Sequence, residues 1–531
     1  MSTFNELIDF TRSTTGTYLD SVVYGEELVT NGTFDSGTTG WFTSPSGGVT
    51  GSVVNGEYNL NNTAGGGKGV TQVFKTQAGK TYKITATARK ISGISAFLVA
   101  AQTNWGFSDN LAYASTTSSS NVELSVTFKA VDEESYVYLR SDAVGVTVFD
   151  NVSVKEIIGG QVSGTPLLRT AAINEPRLEY DASGNPLGLL IEEARTNFIG
   201  SSLFDTAYTN QSVTRVLNQS GAPDGTSTAT KVLETGGTAF HRTFTLMTFI
   251  SGNIYTQSVY AKSIGGRVLQ LTVGGQSFGA IHVNFDLENG VVGSSVGYTS
   301  ASITDAGNGW YRCVATATAT QTNSTDSSIV SVTSPTSGRL ESFTGDTSKG
   351  LLVFGHQVEA GAFPTSYIPT SGSAVTRAAD IASLPVERFG YNQAQGSVVV
   401  SGHYSGLGSL GSSGVFELNT ASNGVELRLA QASGEIQGYD NNGIFVSNAG
   451  NVPVNSDFKI ALGFVVGGTN AAASYNGSIT NAYASVDVNT VSSIELFKHD
   501  VNLGRILNGH LKSVQYYPLR LSNARLQALT S

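Results

Sequence analysis

A single cysteine, Cys313, occurs in 531 residues, so no intramolecular disulfide can form and stability has to come from packing. It lies in the strand-like run Trp310-Tyr-Arg-Cys-Val314, where it reads as a small apolar filler. Proline is scarce at 11, and charged residues make up only 13% of the chain. No apolar run approaches the roughly 18 residues a spanning helix needs, and the first 12 residues lack the apolar core of a signal peptide. Both absences predict a chain made in a cytoplasm, not exported through a signal peptide and not inserted in a membrane. Lysine and arginine total 30 against 40 acidic residues, a net charge of −10, and they are scattered. A nucleic-acid groove needs clustered cations, so nucleic acid is excluded as a partner.

Catalytic and metal patterns are also missing. The six histidines, at 241, 282, 356, 403, 499 and 510, have no paired ligand spacing, and no Cys/His pattern suggests zinc. There is no Gly-x-Ser-x-Gly elbow, His-Glu-x-x-His or phosphate loop. Glycoside hydrolysis uses two carboxylates facing one bond. Glu133/Glu134 and Glu192/Glu193 are strand neighbours that point to opposite faces. Glu417 and Glu426 flank a turn and can meet across a hairpin, but read as surface charge. An enzyme is not expected.

What is there is β-forming. Glycine numbers 62, serine, threonine and asparagine are abundant, and 40% of residues are hydrophobic, enough for real cores. Runs such as Thr81–Arg89, Tyr136–Arg140 and Tyr255–Lys262 alternate with period two, as strands with one buried face do. The length suits about three domains of roughly 150 residues. Tyr475-Asn-Gly477 is a tight hairpin turn of the Asn-Gly kind. Near the end, Ser522 predicts a helix cap, with Leu526 and Leu529 turned inward. At the start, Phe4, Leu7, Ile8 and Phe10 have partly helical spacing. That reads either as a short helix or turn closing a domain, or as an anchor docking on another protein.

Pro176–Asn197, PRLEYDASGNPLGLLIEEARTN, organises the rest. Two β-like runs, Arg177–Tyr180 and Leu187–Ile191, flank turn residues Asp181 to Pro186, so it reads as a hairpin joining self-contained β domains. The run resembles a module of tailed-phage virion proteins. Arg12-Ser-Thr-Thr-Gly-Thr-Tyr-Leu-Asp20 matches that module's upstream strand, with Pro166–Ala172 as its continuation, and Ala362–Thr370 through Arg377–Asp380 matches its tail. Something of domain size is inserted between Asp20 and Pro166. Glu27–Trp41 is similar to the start, and Val148–Lys155 to the final strand, of jelly-roll carbohydrate-binding modules. Gly509–Leu529 resembles the close of concanavalin-like and laminin-G-like lectin domains.

The resemblances imply an all-β fold: three jelly-roll or lectin-like β-sandwich domains in tandem, the first inserted into an N-terminal phage module. The boundaries are an arm at 1–23, a first sandwich at 24–157, the hairpin joint at 158–197, a second sandwich with an extended linker at 198–384, and a third at 385–531. They imply a structural protein on the virion surface, made in the host cytoplasm. As a tail or capsid fibre it would bind host-surface glycans, with other virion proteins as partners and a homotrimer as its assembly. The alternative is a head decoration, collar or tail-adaptor protein; a polysaccharide depolymerase is the third reading.

Sugar binding needs an exposed aromatic plane among amides and carboxylates. Trp41 and Trp310 match core positions. The loop Gln102–Tyr113 differs, with Trp105, Phe107 and Tyr113 set among Asn104, Asp109 and Asn110. It reads either as a ligand platform or as a contact to another subunit. Tyr439, Asp440 and Asn441 form a second candidate, which a plain hairpin tip explains equally well. The carbohydrate-module resemblance further implies a structural Ca²⁺ joining first loop to last strand through Asp35 and Asp150. The alternative is two turn aspartates bonding nearby N–H groups.

Overall fold

A computed structural model describes residues 8–20, 25–102, 110–157, 167–180, 186–205, 207–333, 338–407, 412–420, 424–430, 434–440, 442–498 and 506–531. The chain is all-β, and it divides into two compact units, Val22–Gly164 and the remainder.

The first unit is a two-layer sandwich of five-stranded antiparallel sheets. Thr81–Lys90 shows why: Tyr82, Ile84, Ala86 and Ala88 are buried, while the residues between them are half-exposed. Trp41 packs on Phe34 inside this core, just before the strand Phe42–Thr43, its indole N–H donating to Asn31 O at 3.1 Å.

The second unit holds two sandwiches. Among the described residues the middle one stacks two six-stranded sheets and the C-terminal one two seven-stranded sheets. Trp310 is buried in the middle one, donating to Gly221 O, and Cys313 lies in its core, where burial pushes the thiol up. In the C-terminal one, Asn476 and Gly477 both take positive φ (48° and 70°) between Ala472–Tyr475 and Ser478–Asn481, the turn the sequence predicts. Ser522 caps the helix Asn523–Thr530 and accepts from Arg525 N–H; Leu526 is buried and Leu529 packs beside it.

Three expectations change. Phe10 lies in a strand, Asp9–Thr11, paired with Ile381–Pro385, not in a helix, because its burial comes from a sheet edge. Phe4 and Leu7 lie outside the described residues. The C-terminal sandwich also begins earlier than residue 385: it takes in Ile381–Pro385 and both hairpin strands, Leu178–Tyr180 and Pro186–Ile191, the latter paired with Leu507–Tyr517. Finally, Thr365 to Thr370 is not a surface linker; Thr365, Tyr367 and Ile368 are at most 3% exposed.

What buries that segment is an ion cluster at the joint. Asp380 pairs with Arg12 at 3.0 Å and with Arg177, whose other amino group reaches Glu192 at 2.8 Å. Arg377 lies 3.4 Å from Glu192, and Arg195 pairs with Glu193 at 2.5 Å. Backbone groups complete the shell. Asp380 accepts from Glu192 N–H, Glu192 from Ser366 N–H, and Glu359 from Thr365 N–H, at 2.7–2.9 Å. Gly361 is required here, since a Cβ would fall 1.5 Å from the Arg195 guanidinium. Beside the cluster, Gly16–Asp20 pairs antiparallel with Leu167–Ala171, Asp20 opposite Leu167. The chain therefore leaves and returns at neighbouring points, which is what an inserted domain requires.

Asp380→Asn leaves two buried guanidiniums short of a charge. It should cost about 3–5 kcal/mol, read as a lowered urea midpoint. Burial pushes the Glu192 carboxyl up, but Arg377, Arg177 and Ser366 outweigh it and hold it below its ordinary value of 4.5. Its contribution is thus complete above pH 4.5 and lost as pH falls toward the lower folded value. Stability should decline below pH 4.5, with a shallower slope in Glu192→Gln.

Candidate functional site

The inserted sandwich has apolar residues on both faces of one sheet. In Glu134–Ser141, Val137 and Leu139 point into the core, and Tyr136, Tyr138 and Arg140 alternate with them. Tyr136 and Tyr138 form their own cluster with Phe97, Val99 and Ala101. One register row crosses all five strands: Phe42, Thr71, Tyr138, Val99, Tyr113. At about 4.8 Å per strand spacing it spans roughly 19 Å. Its ends are open, Phe42 being 64% and Tyr113 65% exposed. Phe97 lies 6.3 Å from Tyr113 between ring centroids, and the Arg140 guanidinium sits 5.0 Å over Phe97, itself held by Asp142 at 2.8 Å. Thr71, Tyr138 and Val99 are at most 5% exposed, so the strip offers a sugar its two end rings, Phe42 and Tyr113, the latter beside Phe97 and the Arg140 cation, which can stack on a sugar ring and donate to its hydroxyls.

Of the loop residues named from sequence, Tyr113 belongs to this strip; Asn104, Trp105, Phe107 and Asp109 lie outside the described residues. Phe97, Tyr136, Tyr138 and Arg140 were not singled out. Their signal was present: in Tyr136–Arg140 both faces are apolar or aromatic, which a half-wet strand does not need.

No family model and no curated protein matches the chain. Solved structures do. One, described as "CBM4 structure and function", is 19% identical, with a TM-score of 0.22, over 24% of this chain and 99% of that one. Another, the N-terminal CBM22-1–CBM22-2 tandem domain of Paenibacillus barcinonensis Xyn10C, is 14% identical, with a TM-score of 0.22, over 64% of this chain and 99% of that one.

In the C-terminal sandwich, Tyr439 is half-buried on the outer face of a sheet, under the Arg428 guanidinium at 4.3 Å. Asp440 is spent internally, accepting from the backbone N–H groups of Asn442 and Asp487 at 2.8 Å; Asn441 is outside the described residues. The register sets Tyr439, Glu426, Glu417 and Glu495 in one row. Glu417 and Glu426 therefore do meet across the hairpin, and they are buried, which corrects their reading as surface charge. Arg428 lies 3.3 Å from Glu426 and Lys498 lies 3.4 Å from Glu495.

Asp35 and Asp150 are close enough to interact. Burial, then Glu57 and Asp35, push the Asp150 carboxyl up against an opposing hydrogen bond from Asn151. Each also has a local partner, Thr33 Oγ for Asp35 and Asn151 N–H for Asp150, at 2.7 Å. Among the described residues no three His, Cys, Asp or Glu side chains converge as metal ligands. The first loop is tied to the last strand directly, by Glu27, which accepts from Val154 N–H at 2.7 Å and Ser153 Oγ at 2.6 Å.

Proposed function

We propose that the protein is a structural component of a tailed-phage virion, displayed as a tail or capsid fibre, that holds host-surface glycans on the outer faces of its sandwiches. The observation that carries glycan binding is the pair of exposed rings, Phe42 and Tyr113, at the two ends of the aromatic strip. Phage origin is supported by the sequence resemblance of Arg12–Asp20, Pro176–Asn197 and Arg377–Asp380. A single shallow site of this kind binds weakly, and display in many copies, with a homotrimer as the unit, would multiply affinity by about 10²–10⁴. Other virion proteins are its assembly partners, and it is made in the host cytoplasm.

A glycan array with the whole chain should give hits that Tyr113→Ala and Trp105→Ala reduce, with no change in Tm. A silent wild type would instead favour a head decoration, collar or tail-adaptor role.

The buried Glu426–Glu417–Glu495 row favours a second reading, glycoside hydrolysis. Directly opposed residues have Cβ atoms about 4.5–5.5 Å apart, within reach of a double-displacement pair. Reducing ends released from host polysaccharide, and abolished in both Glu417→Gln and Glu426→Gln, would establish it; no release closes it.

The Ca²⁺ assignment is narrower. A divalent ion between Asp35 and Asp150 would relieve their repulsion and would take most of its ligands from the backbone. Ca²⁺ at roughly 1 mM should raise the Tm of the wild type but not of Asp150→Asn. Equal behaviour of the two proteins leaves the aspartates as turn formers.

A further inference from the structure

The middle sandwich has a different outer face. In the sheet containing Val268–Val273, the residues Leu269, Leu271, Val283, Phe285, Val330 and Val332 face the core. The alternate positions face away from it, and one register row of them is polar throughout, Gln211, Arg242, Ser331, Gln270, Asn284; Ser331, Gln270 and Asn284 are at most 3% exposed, so only its Gln211–Arg242 end reaches solvent. A strap crosses this face. Gln270 holds it at two points, donating to Gly338 O and accepting from Leu340 N–H, both at 2.8 Å, and is itself fixed by Asn284 at 2.7 Å. The strap sets Arg339 over the end of the sheet, where it donates to Val273 O at 2.7 Å and Thr272 Oγ at 3.2 Å.

Two strands away, Arg242 donates to Gln211 Oε1 at 2.8 Å and lies 5.3 Å over the half-exposed ring of Phe244. Among the described residues no carboxylate forms an ion pair with either guanidinium. Burial and then the charge of Arg339 lower the Arg242 guanidinium, so the two cations feel each other in a chain whose net charge is −10. Beside Arg339, on the strand beyond Val268–Val273 and away from Arg242, His282, 6% exposed, has a buried Nδ1 with no hydrogen-bond partner among the described residues. Burial and Arg339, opposed by Glu341, hold that ring below its usual 6.5, so it is neutral at pH 7 and can donate or accept.

We infer that this face is a second saccharide site, and that it takes sugars carrying an anionic group. The guanidiniums of Arg242 and Arg339 would hold a carboxylate or sulfate ester, and Phe244 would stack on the ring. The glycan-binding reading supplies the sugar here; the charge preference stands on these residues alone.

Titration of the whole chain with a galacturonate oligomer, a sialylated oligosaccharide, a sulfated oligosaccharide and a neutral oligomer separates the two sites. At least one acidic probe should bind, more weakly as salt rises, and the preferred probe identifies the anionic group. Arg242→Gln and Phe244→Ala should each weaken it by at least about tenfold, while Tyr113→Ala leaves it unchanged. Acidic binding without any neutral binding would sink the aromatic strip and leave this site standing. The inference is overturned if no acidic probe binds, or if binding survives both Arg242→Gln and Phe244→Ala.

Discussion

The second unit depends on a set of charges that water does not reach. Arg12, Arg177, Arg195 and Arg377 face Glu192, Glu193, Glu359 and Asp380, and all eight side chains are largely buried. A lone buried ion costs several kcal/mol, so such a cluster persists only when charge balances and most of the remaining donors find acceptors. Here further donors go to main-chain carbonyls, Arg12 to Ala172, Arg177 to Thr17, Arg377 to Glu193, while the buried Nε groups of Arg177 and Arg377 have no partner among the described residues. Ala172 and Glu193 lie outside any strand, and Thr17 lies in the short strand Gly16–Asp20. The cluster therefore fixes backbone as well as side chains, and it draws together residues 368 positions apart.

This explains which part of the sequence was recognisable. The motifs that carry the phage resemblance contain seven of the cluster's eight charges: Arg12, Arg177, Glu192, Glu193, Arg195, Arg377 and Asp380. Hydrophobic cores accept many exchanges of similar volume, but a buried guanidinium paired bidentately accepts almost none. A motif of that kind reports on architecture. It says nothing of what the outer faces bind, and the resemblance accordingly implied a particle and no chemistry.

Other features were legible for local reasons. Alternation in Thr81–Lys90, the Asn476–Gly477 turn and the Ser522 cap each depend on a few adjacent residues. The misreadings share the opposite cause. Glu417 and Glu426 look like surface charge until Glu495, from a strand some 70 residues on, completes their row. Thr365–Thr370 looks like a linker until Glu192 and Glu359 supply acceptors for its N–H groups. The Phe42–Tyr113 strip is drawn from five strands, and no single one of them contains it. Burial that is assembled across strands leaves little trace in any one of them.

A sandwich assigns alternate residues of each strand to the core, so chemistry can differ only at the positions between. The three domains use that freedom differently. The inserted one presents aromatic rings, the middle one guanidiniums among amides, and the C-terminal one carboxylates beside Tyr439. The cores can stay alike while the faces diverge, because outward substitutions disturb no interior packing. The same separation governs the insertion. Its two ends join the chain at a two-strand ladder, Gly16–Asp20 with Leu167–Ala171, next to the ion cluster within the second unit. The joint is thus where the fold is fixed, while the outer faces of the sandwiches are free to differ from one domain to the next.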